Sequence, residues 1–425
     1  AYSRPNFPIN DNVIRNLFER NNGRRRTLGE VMQATKNTLS SVYKLGFCLI
    51  GDPAVKMAYP EFGMKVTTVN GQAVDGNSIS FKALEKITVE GEVLDASGQL
   101  VTDFTGIVNP TVKDSKVTVT CLKNSNKDDT PAFTFTDYPN TIFIGNDSVR
   151  NGKFSFTFTV PKDISYSNLQ GKMNLYAVDT ENGHEAQGNF DNFIVGGTSD
   201  TAETDTIGPE IRALYLNDTT FVDGGQVNTT PYFVAELWDK SGVNITGSSV
   251  GHDMMLVIDE STVLSYNLNS YYELLPGEEG TGIVKFPIPA LEPGKHTAEF
   301  WVWDILNNST VRTFTFEVVE GLKPFLFDVI ATPGIAREQV TFHLMHNRPE
   351  SRMRVGIMVY DLAGRQLWKH EESGTSGLFE NYTVSWDLTC GGARMRPGVY
   401  IYRAAISTDN SKDATKARKF IILGE

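Results

Sequence analysis

The side chains able to carry out covalent or acid–base chemistry are few in this sequence. Three cysteines, Cys48, Cys121 and Cys390, and six histidines stand among 425 residues. A cysteine nucleophile needs a base beside it and a polar, partly open setting. Cys48 sits in the apolar run Leu45-Gly-Phe-Cys-Leu-Ile50, Cys121 ends Val117-Thr-Val-Thr-Cys121, and Cys390 precedes Gly391-Gly392. All three read as small buried hydrophobes. Their odd number and wide separation exclude a disulfide framework and a Cys-rich zinc knuckle. His343 and His346 are three apart, which on a strand places them on opposite faces and gives no metal pair. Gly251-His252-Asp253 reads as a polar turn ordering a hairpin, not as a His–Asp catalytic unit. No Gly-rich phosphate loop and no metal-ligand cluster is legible, so no catalytic residue is assigned in this chain.

A recurrent acidic turn is legible. An apolar strand ends in Asp, two residues follow, then Gly or Asn: Asp95-Ala-Ser-Gly98, Asp179-Thr-Glu-Asn182, Asp239-Lys-Ser-Gly242, Asp304-Ile-Leu-Asn307 and Asp361-Leu-Ala-Gly364. The Asp carboxylate can accept backbone N–H bonds there, and Gly or Asn tolerates the left-handed closing position. Asp179-Thr-Glu-Asn-Gly183 resembles half a calcium loop but lacks the acidic ladder and terminal Glu. A structural calcium ion in the β half is the one cofactor left open; no other is expected. Trp238-Asp239, Trp303-Asp304 and Trp386-Asp387 are spaced too widely for propeller blades and read as strand ends. Asn308-Ser-Thr and Asn381-Tyr-Thr read as hairpin turns. Arg24-Arg25-Arg26 reads as a solvated loop, with contact to phosphate or an acidic partner as the sharper alternative.

The elements that must position these residues change character along the chain. Asn10-Asp11 is expected to cap a helix whose apolar residues are Val13, Ile14, Leu17 and Phe18. Thr27 and Glu30 form a capping box for a second helix running through Met32 and Leu39 toward Tyr43. Lys44 to Ile50 is expected to be a short buried strand ended by Gly51-Asp52-Pro53. After Tyr59-Pro60 period-2 alternation dominates, as in Ile87-Thr-Val-Glu-Gly-Glu-Val93, Phe154-Ser-Phe-Thr-Phe-Thr-Val160 and Thr313-Phe-Thr-Phe-Glu-Val318. Such runs are half-buried antiparallel strands. The fold class is therefore mainly β: an α/β segment over residues 1–60, then Ig-like β-sandwich units over 61–197, 198–321 and 322–425.

The polar stretch Gly196-Gly-Thr-Ser-Asp-Thr-Ala-Glu-Thr-Asp205 and the shorter Glu320-Gly-Leu-Lys-Pro324 mark the joints. The chain carries 39 Lys+Arg against 51 Asp+Glu, a net charge of −12, which argues against a nucleic-acid surface. Residues 322–425 hold 14 Lys+Arg against 11 Asp+Glu, so the tail is mildly basic on an acidic body. No run approaches the ~20 apolar residues of a membrane-spanning helix.

Ordered motifs in the tail resemble the C-terminal signal domain of type IX secretion substrates. They are Ala331-Thr-Pro-Gly334, Val340-Thr-Phe-His-Leu344, Val355-Gly-Ile-Met-Val-Tyr-Asp-Leu-Ala-Gly-Arg365, Pro397-Gly-Val-Tyr-Ile-Tyr-Arg403 and Lys416-Ala-Arg-Lys-Phe-Ile-Ile-Leu423. The head, through Tyr2-Ser-Arg-Pro-Asn6, Leu28-Gly-Glu30 and Phe47-Cys-Leu-Ile-Gly-Asp-Pro-Ala54, resembles the end of a gingipain-type cysteine peptidase domain of caspase-like fold. Gly208-Pro-Glu-Ile211, Gly294-Lys-His-Thr297 and Val302-Trp-Asp-Ile-Leu-Asn-Asn308 are similar to the β arm of the sortase branch of that family.

That resemblance implies a cell-surface, outer-membrane-associated cysteine endopeptidase of a Gram-negative bacterium. It would remove the C-terminal signal of secreted cargo and transfer the cargo to anionic lipopolysaccharide. Its catalytic Cys and His are expected upstream of Ala1. Implied partners are a PorV-type outer-membrane barrel with other attachment-complex components, cargo signal domains and anionic lipopolysaccharide. Tyr400, Tyr402, Arg403, Lys416, Arg418 and Lys419 are the expected docking residues on the tail, with core packing the equal alternative for the two tyrosines. Alternatives are a secreted adhesin, or a gingipain-like cargo protease with a cleavable signal.

Overall fold

The computed structural model describes residues 3–19, 24–40, 42–123, 131–200, 205–247, 251–275, 280–408 and 411–424. The first helix, α1, spans Ser3–Phe18, so Asn10 and Asp11 lie inside it rather than at its cap. Pro5 falls in its first turn, where the missing N–H has no intrahelical acceptor to lose, so the helix can start earlier than polar capping suggests. The second helix, α2, spans Leu28–Thr38 behind the expected capping box: Glu30 N–H donates to Thr27 Oγ1 (3.3 Å) and Thr27 N–H to Glu30 Oε2 (2.9 Å). It ends at Leu39, short of Tyr43. Ile9, Val31 and Thr35 are buried where the two helices meet, and Asn16 Nδ2 donates across to Thr35 Oγ1.

The expected strand at 44–50 does not form. A short 3-10 helix, Val42–Gly46, stands there, followed by unpaired chain in which Cys48 is exposed and Ile50 is 97% exposed. An apolar run becomes a strand only beside another strand, since its backbone groups need partners. The described residues before Phe62 supply none, only isolated bridges such as Thr27 to Lys56.

From Phe62 onward strands dominate, and three large hydrophobic cores follow in order, Met64 to Val195, Leu216 to Val318, and Leu326 to Ile422, with a small fourth cluster at Tyr215, Val234 and Ile283. In the first, Phe62–Val69 pairs with Lys86–Leu94, which pairs with Lys153–Thr159. Asp147–Arg150, Gly106–Lys113, Lys172–Asp179 and Glu185–Phe190 follow, and the last returns in parallel to Phe62–Val69. Lys172–Asp179 is paired on both sides, so the sheet closes on itself, and Phe154, Phe156 and Phe158 alternate into its interior. The ring is thinly paired at two places: Phe62–Val69 meets Glu185–Phe190 only at Phe62 and Gly63, and a second weak point lies at Asp147–Arg150. Asp147–Arg150 meets Lys153–Thr159 only at Lys153 and Phe154, and the neighbouring Thr141–Ile144 pairs with Gly106–Lys113 alone.

The second core lies between a four-stranded and a five-stranded sheet, the third between a three-stranded and a five-stranded sheet. In the third, Trp368 stacks on Trp386 at 4.4 Å, and Phe342 packs against Tyr402 at 4.8 Å. Arg348, 1% exposed, sits where the second and third units join. It donates to the Leu322 and Lys323 carbonyls (3.0 and 3.3 Å) and to Asn347. Asn347 Oδ1 in turn accepts from Phe325 N–H (2.7 Å). No helix among the described residues is long and apolar enough to cross a membrane.

Candidate functional site

All five acidic turns form, four with the expected left-handed closing residue (Gly98, Gly242, Asn307 and Gly364), while Gly183 rather than Asn182 closes the Asp179 turn. In each, one carboxylate oxygen accepts two backbone N–H groups, as in Asp95 (from Ser97 and Gln99), Asp239 (from Ser241 and Gly242) and Asp304 (from Leu306 and Asn308). Asp179 accepts from Glu181 and Asn182, and its second oxygen takes the Asn182 side chain. These bonds, Asn182's foremost, hold the Asp179 carboxyl below its usual range. The three tryptophans of the Trp-Asp pairs all close strands.

Folding brings two of these turns together, which the sequence does not show. Asp205, Asp239 and Asp304 place carboxylate oxygens within 4.8 Å of one another, and Asp239 and Asp304 are 4% and 0% exposed. Burial pushes the Asp239 carboxyl up to about 6 against its turn N–H bonds, and burial likewise raises Asp304. Asp205 moves the other way, held down first by the Ile207 N–H and then by the Ser241 hydroxyl. Ser241 Oγ donates to Asp205 Oδ2 (2.9 Å), and Asn308 Nδ2 donates to both the Asp205 carbonyl and Asp304 Oδ2. This corrects the expectation that no metal-ligand cluster exists. Three hard oxygen donors are the ligand type that calcium or magnesium takes. Asp239 and Asp304 carried the turn pattern; Asp205 carried none, lying in a stretch whose only signal was polar composition.

Beside this cluster, Asp163 reaches from the first unit into the second. It pairs with His252 Nδ1 (2.6 Å) and accepts from Asn307 Nδ2 (2.9 Å), while His252 lies against Trp303 at 4.5 Å. His252 therefore orders a junction, and its partner is Asp163 rather than the adjacent Asp253. Lys162 N–H donates to the Ile305 carbonyl at the same seam.

No thiol is set up for attack. Cys48 is exposed, Cys121 half-buried, and Cys390 donates to the Leu367 carbonyl; Cys48 is thus not the buried residue its apolar run suggested. Five of the six imidazoles are held by oxygen partners: His184 by Glu61, His252 by Asp163, His296 by Asp259, His346 by Ser376 and His370 by Glu372. Arg24, Arg25 and Arg26 are not a free anion patch either. Arg24 clamps Glu30, Arg26 holds Glu19 and Asn16, and Arg25 lies over the Tyr59 ring. The Arg24 bond is the main reason the Glu30 carboxyl falls to about 2.

On the tail, the six expected docking residues divide. Tyr400 and Tyr402 face the core, 8% and 1% exposed, and donate to the Arg396 and Val329 carbonyls (2.7 and 3.0 Å). Alternation along Gly398–Ser407 sends even-numbered residues inward, so a partner-facing role for these tyrosines is overturned. Lys416 donates to the Phe327 carbonyl and Arg418 forks onto Asp328, both bracing the sandwich rim. Arg403 and Lys419 are exposed on the outer face.

Residues 1–58 match the family model described as peptidase family C25, so the chain is related to the gingipain-type cysteine peptidases. Within that class it is similar to dimeric latent PorU from Porphyromonas gingivalis. The two are 37% identical, and the match covers 97% of this chain and 39% of the PorU chain, with a TM-score of 0.41. The chain thus spans well under half the length of that relative. A glucan-utilisation protein from Bacteroides ovatus, SGBP-B, matches at 10% identity (81% of this chain, 65% of that one, TM-score 0.24). The Ig1-2 module of the Drosophila receptor phosphatase DLAR matches at 9% (52% and 100%, TM-score 0.21). No curated protein matches.

Proposed function

We infer that the chain is the non-catalytic C-terminal part of a PorU-like cell-surface sortase, a cysteine endopeptidase acting on type IX secretion cargo. The observation that carries this is continuity: one 37% identical match runs through the C25-type head, the β body and the signal-like tail together. In this reading the catalytic Cys and His belong to the part of the C25 domain outside these 425 residues. The thiolate attacks the carbonyl at the cargo's signal junction, and the His proton goes to the leaving amine. An amine of anionic lipopolysaccharide then displaces the thiolate, which anchors the cargo. The tail docks to a PorV-type outer-membrane barrel and keeps the enzyme at the surface of a Gram-negative cell.

Arg403 and Lys419 are two exposed cations on the tail sheet for that docking. The test is fractionation of the native protein with and without residues 325–425. Loss of membrane association with a folded body supports docking; unchanged fractionation sinks it. Intact mass separates the rival cargo reading, in which the tail would be cleaved and replaced by a glycolipid.

A further inference from the structure

The second weak point of the first unit's ring opens a slot for a strand. Val160 N–H donates to the Glu85 carbonyl and Val93 N–H to the Gly152 carbonyl, which fixes the hydrogen-bonding phase of Lys153–Thr159. Even-numbered residues of this strand turn their backbone groups to Lys86–Leu94, and Ser155, Thr157 and Thr159 turn theirs the other way. Asp147–Arg150 accompanies that side only as far as Phe154. A cavity of about 740 Å3 lies along it. Its floor includes Ile142 and Phe143, the latter stacked on Phe158 at 4.7 Å, and its far wall is Lys240 to Val243 with Tyr272 and Leu274 of the second unit. Asn146 Nδ2 spans the two units by donating to the Leu274 carbonyl (2.9 Å).

An open row of backbone donors and acceptors beside apolar side chains is what an extended peptide recognises when it adds to a sheet. The described charged residues lining the slot are Lys86, Arg150 and Lys240 against Asp147, a basic lining on a chain of net charge −12. Lys86 lies opposite Thr159 and Arg150 opposite Lys153, so a cation stands at each end. We propose that this slot binds an extended, acidic-ended peptide segment of another protein, added as a strand along Ser155–Thr159. The peptide's backbone would complete the row, its alternate apolar side chains would meet Phe143 and Ile142, and its acidic ends would meet Arg150 and Lys86.

The test uses the whole chain with two synthetic probes, acetyl-Asp-Val-Thr-Val-Thr-Val-Asp-amide and its lysine-ended twin, read by hydrogen exchange. The acidic probe is expected to slow exchange across residues 155–159 by about tenfold, with the lysine twin binding roughly tenfold more weakly because like charges meet at both ends. Thr157→Pro removes one outward N–H while leaving the bonds of Phe156 and Phe158 to their neighbour strand, and should abolish that protection. Should that variant unfold, Lys86→Glu with Arg150→Glu, both at exposed sites, should reverse the preference between the probes. Absence of protection at 155–159 with either probe overturns the proposal. So does protection that rises with protein concentration alone, which would make a second copy of this chain the occupant.

Discussion

Asp239 and its two neighbours make a pH-sensitive junction from ordinary turn chemistry. Its carboxyl ionises at about 6 in the folded chain against an ordinary 3.8, because burial outweighs the two N–H bonds it accepts. The folded state therefore holds this proton more tightly than the unfolded state. Its contribution is complete below pH 3.8 and is lost as pH rises through about 6. Asparagine can accept the same two N–H groups without charge, so Asp239→Asn should stabilise by about 1–3 kcal/mol at pH 7.5 and add nothing at pH 4. Calorimetry in chelator checks this, and an equal gain at both pH values would refute it. Calcium that raises the melting temperature of the parent chain but not of this variant would identify the three carboxylates as a cation site. The tail residues separate in the same way. Tyr402→Phe should cost about 1 kcal/mol by orphaning the Val329 carbonyl. Arg403→Glu with Lys419→Glu should leave the unfolding free energy within about 0.5 kcal/mol of the parent while weakening membrane association.

At the scale of elements, the sequence announced strands and turns well because their signals are local. Phe154-Ser-Phe-Thr-Phe-Thr fixes which face is buried, and each Asp-x-x-Gly/Asn turn carries its own acceptor and, in four of the five, its own left-handed closing residue, with Gly183 serving the Asp179 turn. The capping box was legible for the same reason: Thr27 and Glu30 need only each other. Thr27→Ala should therefore speed amide exchange over residues 28–38 by about fivefold, matching a loss of about 1 kcal/mol, with the β cores unchanged. What local signals could not show was partnership. Leu45 to Ile50 reads as a strand by composition, but strand formation depends on a neighbour, and none stands beside it here. The tyrosines of Gly398–Ser407 were legible as strand residues open to either face; Ala404 and Ile406, small and apolar at the same phase, put them inward. Likewise Asp205 acquires its role only when two turns from distant parts of the chain arrive beside it.

Across the whole molecule, the units are joined by a few buried polar contacts and by small apolar ones, Ile144 against the second core and Leu378 against Tyr215, Val234 and Ile283, rather than by one continuous core. Asp163 is the clearest, since its carboxylate serves His252 and Asn307 of the next unit at once. Asp163→Ala leaves both without their acceptor and should cost about 2 kcal/mol. It should split the melting of the first two units into separate transitions; one unchanged cooperative transition would show that the contact does not couple them. The second joint has a different character. Arg348 is buried against the very backbone that enters the tail, gripping the Leu322 and Lys323 carbonyls while Asn347 holds Phe325. With Leu378 of the third unit packed against Tyr215, Val234 and Ile283 of the second, that grip on the entering backbone makes the joint a stiff bracket. Wherever the tail is fastened, the heading of the body is then fastened with it, and what the body can reach depends on leverage instead of on the length of a leash.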